Sequence, residues 1–182
     1  LPLVSTGCDS YASWDPRFKH LSPLMETKEI VEQIMELLPS KWPMPSWKDE
    51  HLVITGGEPL LGWQRSYPEL LDHERMRSLK EITFETNGTQ ELHTDMINYL
   101  EYWKKDQAPR IVGNNSHFHT RGYDSVTFSV SPKLSPSGEK YEDAIKPEVV
   151  VGYQQSGYTY LKFVVEKQTD AEEIWTAVED YR

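Results

Sequence analysis

Thiols are almost absent from this chain. Its 182 residues include one cysteine, Cys8, so no intrachain disulfide can form and a reducing compartment, the cytoplasm, is the expected setting. Long apolar runs are absent too: none approaches the roughly 20 residues that a membrane helix requires. The opening residues, LPLVST, have neither the basic region nor the apolar stretch of an export signal. No methionine precedes Leu1, and the natural start is expected to lie upstream. Basic side chains are in the minority, 19 against 29 acidic ones, for a formal net charge of −10. That balance disfavours a nonspecific nucleic-acid binder, whose affinity comes from neutralising phosphates. It leaves room for a local basic pocket that takes a small anion. Neither G-x-x-x-x-G-K-[ST] nor G-x-G-x-x-G occurs, which weakens any reading as a phosphate-loop or dinucleotide enzyme. There is no internal repeat, low-complexity tract or interdomain linker.

What is present describes a globular chain. Hydrophobic residues make up 37% and charged residues 26%, proportions suited to one domain with a sizeable core. Six tryptophans, Trp14, Trp42, Trp47, Trp63, Trp103 and Trp175, are expected mostly in the core or in cleft walls. Apolar spacing predicts helices over 26–38 (with Thr27 as cap and Pro39 as stop), 67–79, 91–105 and 170–181. Short apolar runs predict strands at 3–6, 51–55, 81–85, 125–130, 148–152 and 158–166. The polar stretch 106–124 reads as connection. Alternating strands and helices give an α/β fold with a largely parallel sheet, open or curled into a barrel. In such folds the binding loops follow the C-terminal ends of the strands.

Three of those strand ends carry unusual residues. HLVIT is followed by Gly56-Gly57-Glu58-Pro59: glycines that let a ligand approach the backbone, and a carboxylate suited to an ammonium group. EITFE is followed by Thr86-Asn87-Gly88-Thr89, which also reads as an ordinary Asn-Gly turn. SVTFSV is followed by Ser131-Pro132-Lys133, a hydroxyl and a cation, and Lys133 also reads as a solvated surface lysine. Each is compatible with a plain turn, but three together point to one shared cavity. The pair His117 and His119 has metal-ligand spacing, but no further His or Cys cluster supports it, so it reads as solvated.

TGGEPLL at 55–61, FETNGT at 84–89 and SVSPK at 129–133 resemble, in order and spacing, the motifs of the 7-carboxy-7-deazaguanine synthases, which are radical S-adenosylmethionine enzymes. The likeness extends through CDSYASWDP at 8–16 and KHLSPLMETKEIVEQI at 19–34, and so covers most of the chain. It implies a single shortened, partly open (β/α) barrel domain over 1–182. It also implies ring contraction of 6-carboxy-5,6,7,8-tetrahydropterin to 7-carboxy-7-deazaguanine with loss of ammonia, in queuosine-type 7-deazapurine biosynthesis. The implied cofactors are a 4Fe–4S cluster, S-adenosylmethionine and Mg²⁺. Carried over by motif, Cys8 is a cluster ligand and Ser10 places a hydroxyl on Mg²⁺. Gly56, Gly57 and Glu58 hold the methionyl amine. Thr86, Asn87 and Gly88 line the cofactor and pterin side, and Ser131 and Lys133 reach the ribose or a carboxylate. The implied partners are the small-molecule pterin, an electron donor such as flavodoxin or ferredoxin, and a second copy in a homodimer, with no direct nucleic-acid or membrane contact.

The departure from the family pattern is the cysteine count. A radical-type cluster takes three thiolates, and this chain has one. Thr6-Gly7-Cys8 resembles the approach to the family's first cluster cysteine, and Cys8-Asp9-Ser10 the exit from its last. Both flanks are explained if a loop with two further cysteines is missing between Gly7 and Cys8, as the family's substrate-binding segments before the first strand and beyond Arg182 are also missing. The alternative is a cluster-less barrel relative that binds a pterin or nucleoside without radical chemistry.

Overall fold

The structure, a computed structural model, describes residues 15–21, 23–39, 47, 50–107 and 125–182. The strand expected at 3–6, Cys8, Ser10 and the His117/His119 pair lie outside these residues.

Among the described residues four strands form one sheet: β1 (Leu52–Ile54), β2 (Ile82–Thr86), β3 (Val126–Val130) and β4 (Tyr158–Leu161). Every neighbouring pair is parallel, and the spatial order follows the chain, β1-β2-β3-β4. Parallel neighbours need crossovers, and crossovers of this kind are right-handed. Because the strands are laid down in sequence, those crossovers put their helices on one face and, among the described residues, leave the other without them.

The helices of the described residues are α1 (Thr27–Leu37), α2 (Tyr67–Leu71), α3 (Thr94–Gln107), α4 (Tyr141–Ala144), α5 (Pro147–Ser156) and α6 (Asp170–Asp180). Val31 and Met35 of α1, Met96, Leu100 and Trp103 of α3, and Val149, Val150 and Tyr153 of α5 bury against Ile82, Phe84, Val126, Phe128 and Val130. A smaller cluster of Leu134, Ile145 and Ala177 anchors α6. At about 25 cal/mol per Å² of apolar surface, burying these large side chains is the main drive to the fold.

A row of rings crosses the sheet on its helical side. Tyr67 packs tilted on Phe84 with centroids 5.3 Å apart, Phe84 stacks on Phe128 at 5.5 Å, and Phe128 stacks on Tyr153 at 4.8 Å. The opposite face alternates in register: Val53, Thr83, Thr127 and Tyr158 form one row, and Glu85, Ser129 and Tyr160 the next. This face is polar, and most of it is half-buried to exposed.

Three expectations are corrected. The run 148–152 is not a strand but part of α5. Pro147 occupies the first helical turn, where its fixed φ favours a helix, and the buried Val149, Val150 and Tyr153 follow helical spacing. The helix expected over 67–79 stops at Leu71 and resumes only as a 3₁₀ turn at Glu74–Met76. The cap of α1 is Glu26, not Thr27. Glu26 and Glu29 form a reciprocal capping box, and the Glu26 amide donates to the Glu29 carboxylate at 3.1 Å.

Candidate functional site

The loops after β1, β2 and β3 meet at the C-terminal edge of the sheet. Gly56 and Gly57 turn the chain with φ of +89° and +46°, the left-handed region that glycine adopts without strain. A Cβ built at Gly56 would have no heavy atom within 4 Å, so this backbone lies open to approach. Gly88 is the reverse case. Its φ is +84°, and an added Cβ would lie 2.7 Å from Val130 Cγ1, so the glycine lets the second loop close down on β3.

Glu58 joins the first two loops. Its Oε1 accepts from the Thr86 hydroxyl at 2.7 Å and from the Leu60 amide at 3.1 Å, and its Oε2 accepts from the Asn87 amide at 2.7 Å. Thr86 Oγ1 in turn accepts from the Gly88 amide at 3.1 Å. The Ser131 amide donates to the Thr86 carbonyl at 2.8 Å, bringing in the loop after β3. Burial pushes the Glu58 carboxyl above its ordinary range. The hydrogen bonds from Asn87, Thr86 and Leu60 and the charge of Lys133 oppose that shift without cancelling it.

Asn87 turns its side chain onto its own loop, where Oδ1 accepts from the Thr89 amide at 3.0 Å and the Thr89 hydroxyl at 2.7 Å. Its side-chain oxygen is therefore spent on turn geometry. Lys133 is half-buried and close enough to Glu58 to bias that group's ionisation. The structure thus brings Gly56, Gly57, Glu58, Thr86, Asn87, Gly88, Ser131 and Lys133 to one edge of the sheet.

Several supporting residues had no distinctive signal in the sequence. Gln64, 2% exposed, donates from Nε2 to the Leu60 carbonyl at 2.9 Å and the Glu91 carbonyl at 2.8 Å, and accepts from the His93 amide at 2.8 Å. It is a second brace between the first two loops. The ring row adds two more supports: Tyr67 donates its hydroxyl to the Pro59 carbonyl and Tyr153 to the Gln90 carbonyl. Burial, with Glu58 nearby, pushes both phenols above their ordinary range, so they remain protonated donors. On the open face, Lys162 Nζ lies 3.0 Å from Glu85 Oε1, and the Thr55 hydroxyl approaches Glu85 Oε2 at 3.4 Å. Residue alternation along the strands would have put Glu85 and Ser129 on this face, but not their contacts.

Among the described residues no group of three or more His, Cys, Asp or Glu side chains is placed to hold a metal ion, and no helix is long and apolar enough to cross a membrane. The chain is 26% identical over 173 residues to a protein of Pyrobaculum aerophilum named 7-carboxy-7-deazaguanine synthase. The alignment covers 95% of this chain but only 58% of that protein. No family model and no solved structure matches.

Proposed function

We propose that this chain is a 7-carboxy-7-deazaguanine synthase relative of the partial-barrel, radical S-adenosylmethionine type. It would bind S-adenosylmethionine at the three strand-end loops and a carboxylated pterin over the open face of the sheet. The observation that carries the reading is the Glu58 carboxylate, drawn in by the Thr86 hydroxyl and the Asn87 amide beside the open backbone of Gly56. The similarity to the Pyrobaculum protein supports the same family.

The residues at the loops suit the nucleoside cofactor. A carboxylate offers about four lone-pair sites, and the three donors on Glu58 leave one for a ligand ammonium. Gly56 and Gly57 give a carboxylate or amine access to the backbone. Lys133 supplies the cation near a ligand's acidic end. S-adenosylmethionine held by Gly56, Gly57 and Glu58 would be the source of radical chemistry only where a cluster able to reduce it is also present. This chain's own residues would hold and orient the methionyl end and limit water around it.

The cluster itself does not fit the donor set. One cysteine cannot hold a cubane. The same observation favours a second reading, a cluster-less relative that binds the same ligands without turning them over.

Glu58→Ala tests the site. It leaves the Thr86 hydroxyl and the Asn87 and Leu60 amides without their acceptor, at about 1–3 kcal/mol for a buried group. We expect a lower Tm that still leaves a folded protein at 25 °C, together with S-adenosylmethionine affinity reduced at least about tenfold in calorimetry. Unchanged affinity refutes the assignment of Glu58.

A further inference from the structure

The open face of the sheet contains a polar atom that the fold leaves unused. Ser129 is fully buried, and its Oγ has no hydrogen-bond partner. A buried hydroxyl is normally satisfied, and one left alone destabilises the fold. Among the described residues two other buried side-chain atoms lack partners, Trp47 Nε1 and Tyr181 OH, but both residues pack with the hydrophobic core. Ser129 alone of the three stands on the strand row of Glu85 and Tyr160.

Its surroundings belong to a site rather than to a core. Glu85 precedes Thr86 of the second loop, and Ser129 precedes Ser131 by two residues, so the hydroxyl lies one step down the sheet from the strand-end loops. The Lys162–Glu85 ion pair joins a residue just past β4 to a residue of β2. In a sheet ordered β2-β3-β4 that bridge must cross β3, close to Ser129. The pair is partly exposed, and such pairs are held by little free energy, so they exchange readily for other partners. Tyr158 and Tyr160 lie along the β4 side, with ring centroids 6.0 Å apart. The result is a polar floor with an aromatic flank, one charge of each sign and a hydroxyl waiting beneath them. This chemistry suits a planar, carboxylated nitrogen heterocycle.

We infer that Ser129 is a specificity-determining residue that hydrogen-bonds the heterocyclic substrate, and that the Lys162–Glu85 pair is a displaceable cover over it. The inference rests on the reading above that the chain binds a carboxylated pterin. It separates the two ligands: the amino-acid end of S-adenosylmethionine belongs to Glu58 at the loops, and the heterocycle to Ser129 on the sheet.

The experiment is Ser129→Ala with three measurements on the whole chain: thermal melting, calorimetry with 6-carboxypterin, and calorimetry with S-adenosylmethionine. Losing one hydrogen bond predicts pterin affinity down about tenfold, S-adenosylmethionine affinity unchanged, and a Tm equal to or above that of the parent. The Tm is the readout that a merely structural serine would move the other way. Unchanged pterin affinity overturns the inference, as does an equal loss for both ligands or a lowered Tm. Should the parent chain bind S-adenosylmethionine but not the pterin, the Ser129 inference fails while the strand-end reading stands. Should it bind neither, both fail.

Discussion

Glu58 shows how far a single residue can be read from sequence. Two glycines and a proline beside it marked the position, because those residues shape a turn whatever surrounds them. Its partners were not legible: Thr86 and Asn87 lie 28 and 29 positions further on, and only the parallel pairing of β1 with β2 brings them within reach. The same contacts make Glu58 a source of pH dependence. Burial raises its pKa on folding, so the folded chain holds this proton more tightly than the unfolded one. Its contribution to stability is therefore full below the ordinary glutamate range and is lost as pH rises through the raised value. Thermal melts between about pH 4 and pH 8 should show the parent losing Tm over that window relative to Glu58→Gln, which cannot titrate. A difference curve that is flat, or that slopes the other way, would mean the carboxyl is not desolvated as described. Cys8 and Ser10 belong to the same scale of reading, but both lie outside the described residues.

Elements were legible where pattern and packing agreed. The strands β1, β3 and β4 fall within the runs expected for them and β2 overruns its own by one residue, Thr86, because short apolar stretches bounded by turn residues leave little alternative. The run EVVVG was misread because three valines favour a strand by propensity. What overrides propensity is the placement of Val149, Val150 and Tyr153 on one side of a helix that closes the core. The two glycines bounding the second half of this element should respond in opposite directions. Gly152 lies inside α5 with nothing within 4 Å of an added Cβ, so Gly152→Ala should stabilise by about 0.5–1 kcal/mol through helix propensity. Gly157 follows the helix, and a Cβ there would lie 2.4 Å from the Val126 carbonyl. Gly157→Ala should therefore force β4 away from β3 and destabilise by about 1–3 kcal/mol. Chemical denaturation of the two variants checks both signs, and a loss for Gly152→Ala would place that residue in a tighter environment than the helix shows.

At the scale of the whole molecule, strand–helix alternation was enough to predict a parallel α/β sheet. It was not enough to predict that, among the described residues, four strands run in chain order with one face free of helices, since that depends on which strand pairs with which. The chemistry available to the molecule turns on its thiols. Anaerobic reconstitution with iron and sulfide should give no stable broad absorbance near about 400 nm, the region of thiolate-bound 4Fe–4S clusters, because one cysteine cannot supply the ligands. A stable band of that kind, with product formed from the carboxypterin, would show that the ligands are completed by other means and would favour the lyase over the binder.

The two braces between the first loops have a mechanical consequence. Glu58 ties the turn after β1 to Thr86 and Asn87, and Gln64 ties it again to Glu91 and His93. With four hydrogen bonds reaching across, these two loops move as one stiff jaw. The segment after β3 is fastened to it through the Ser131 amide on the Thr86 carbonyl, and Lys133 stands beyond that point. The segment after β3 is also held from its far side, where Ser135 donates its amide and hydroxyl to Glu173 and Leu134 is buried against Ala177 of α6, so Lys133 sits between two fastened points.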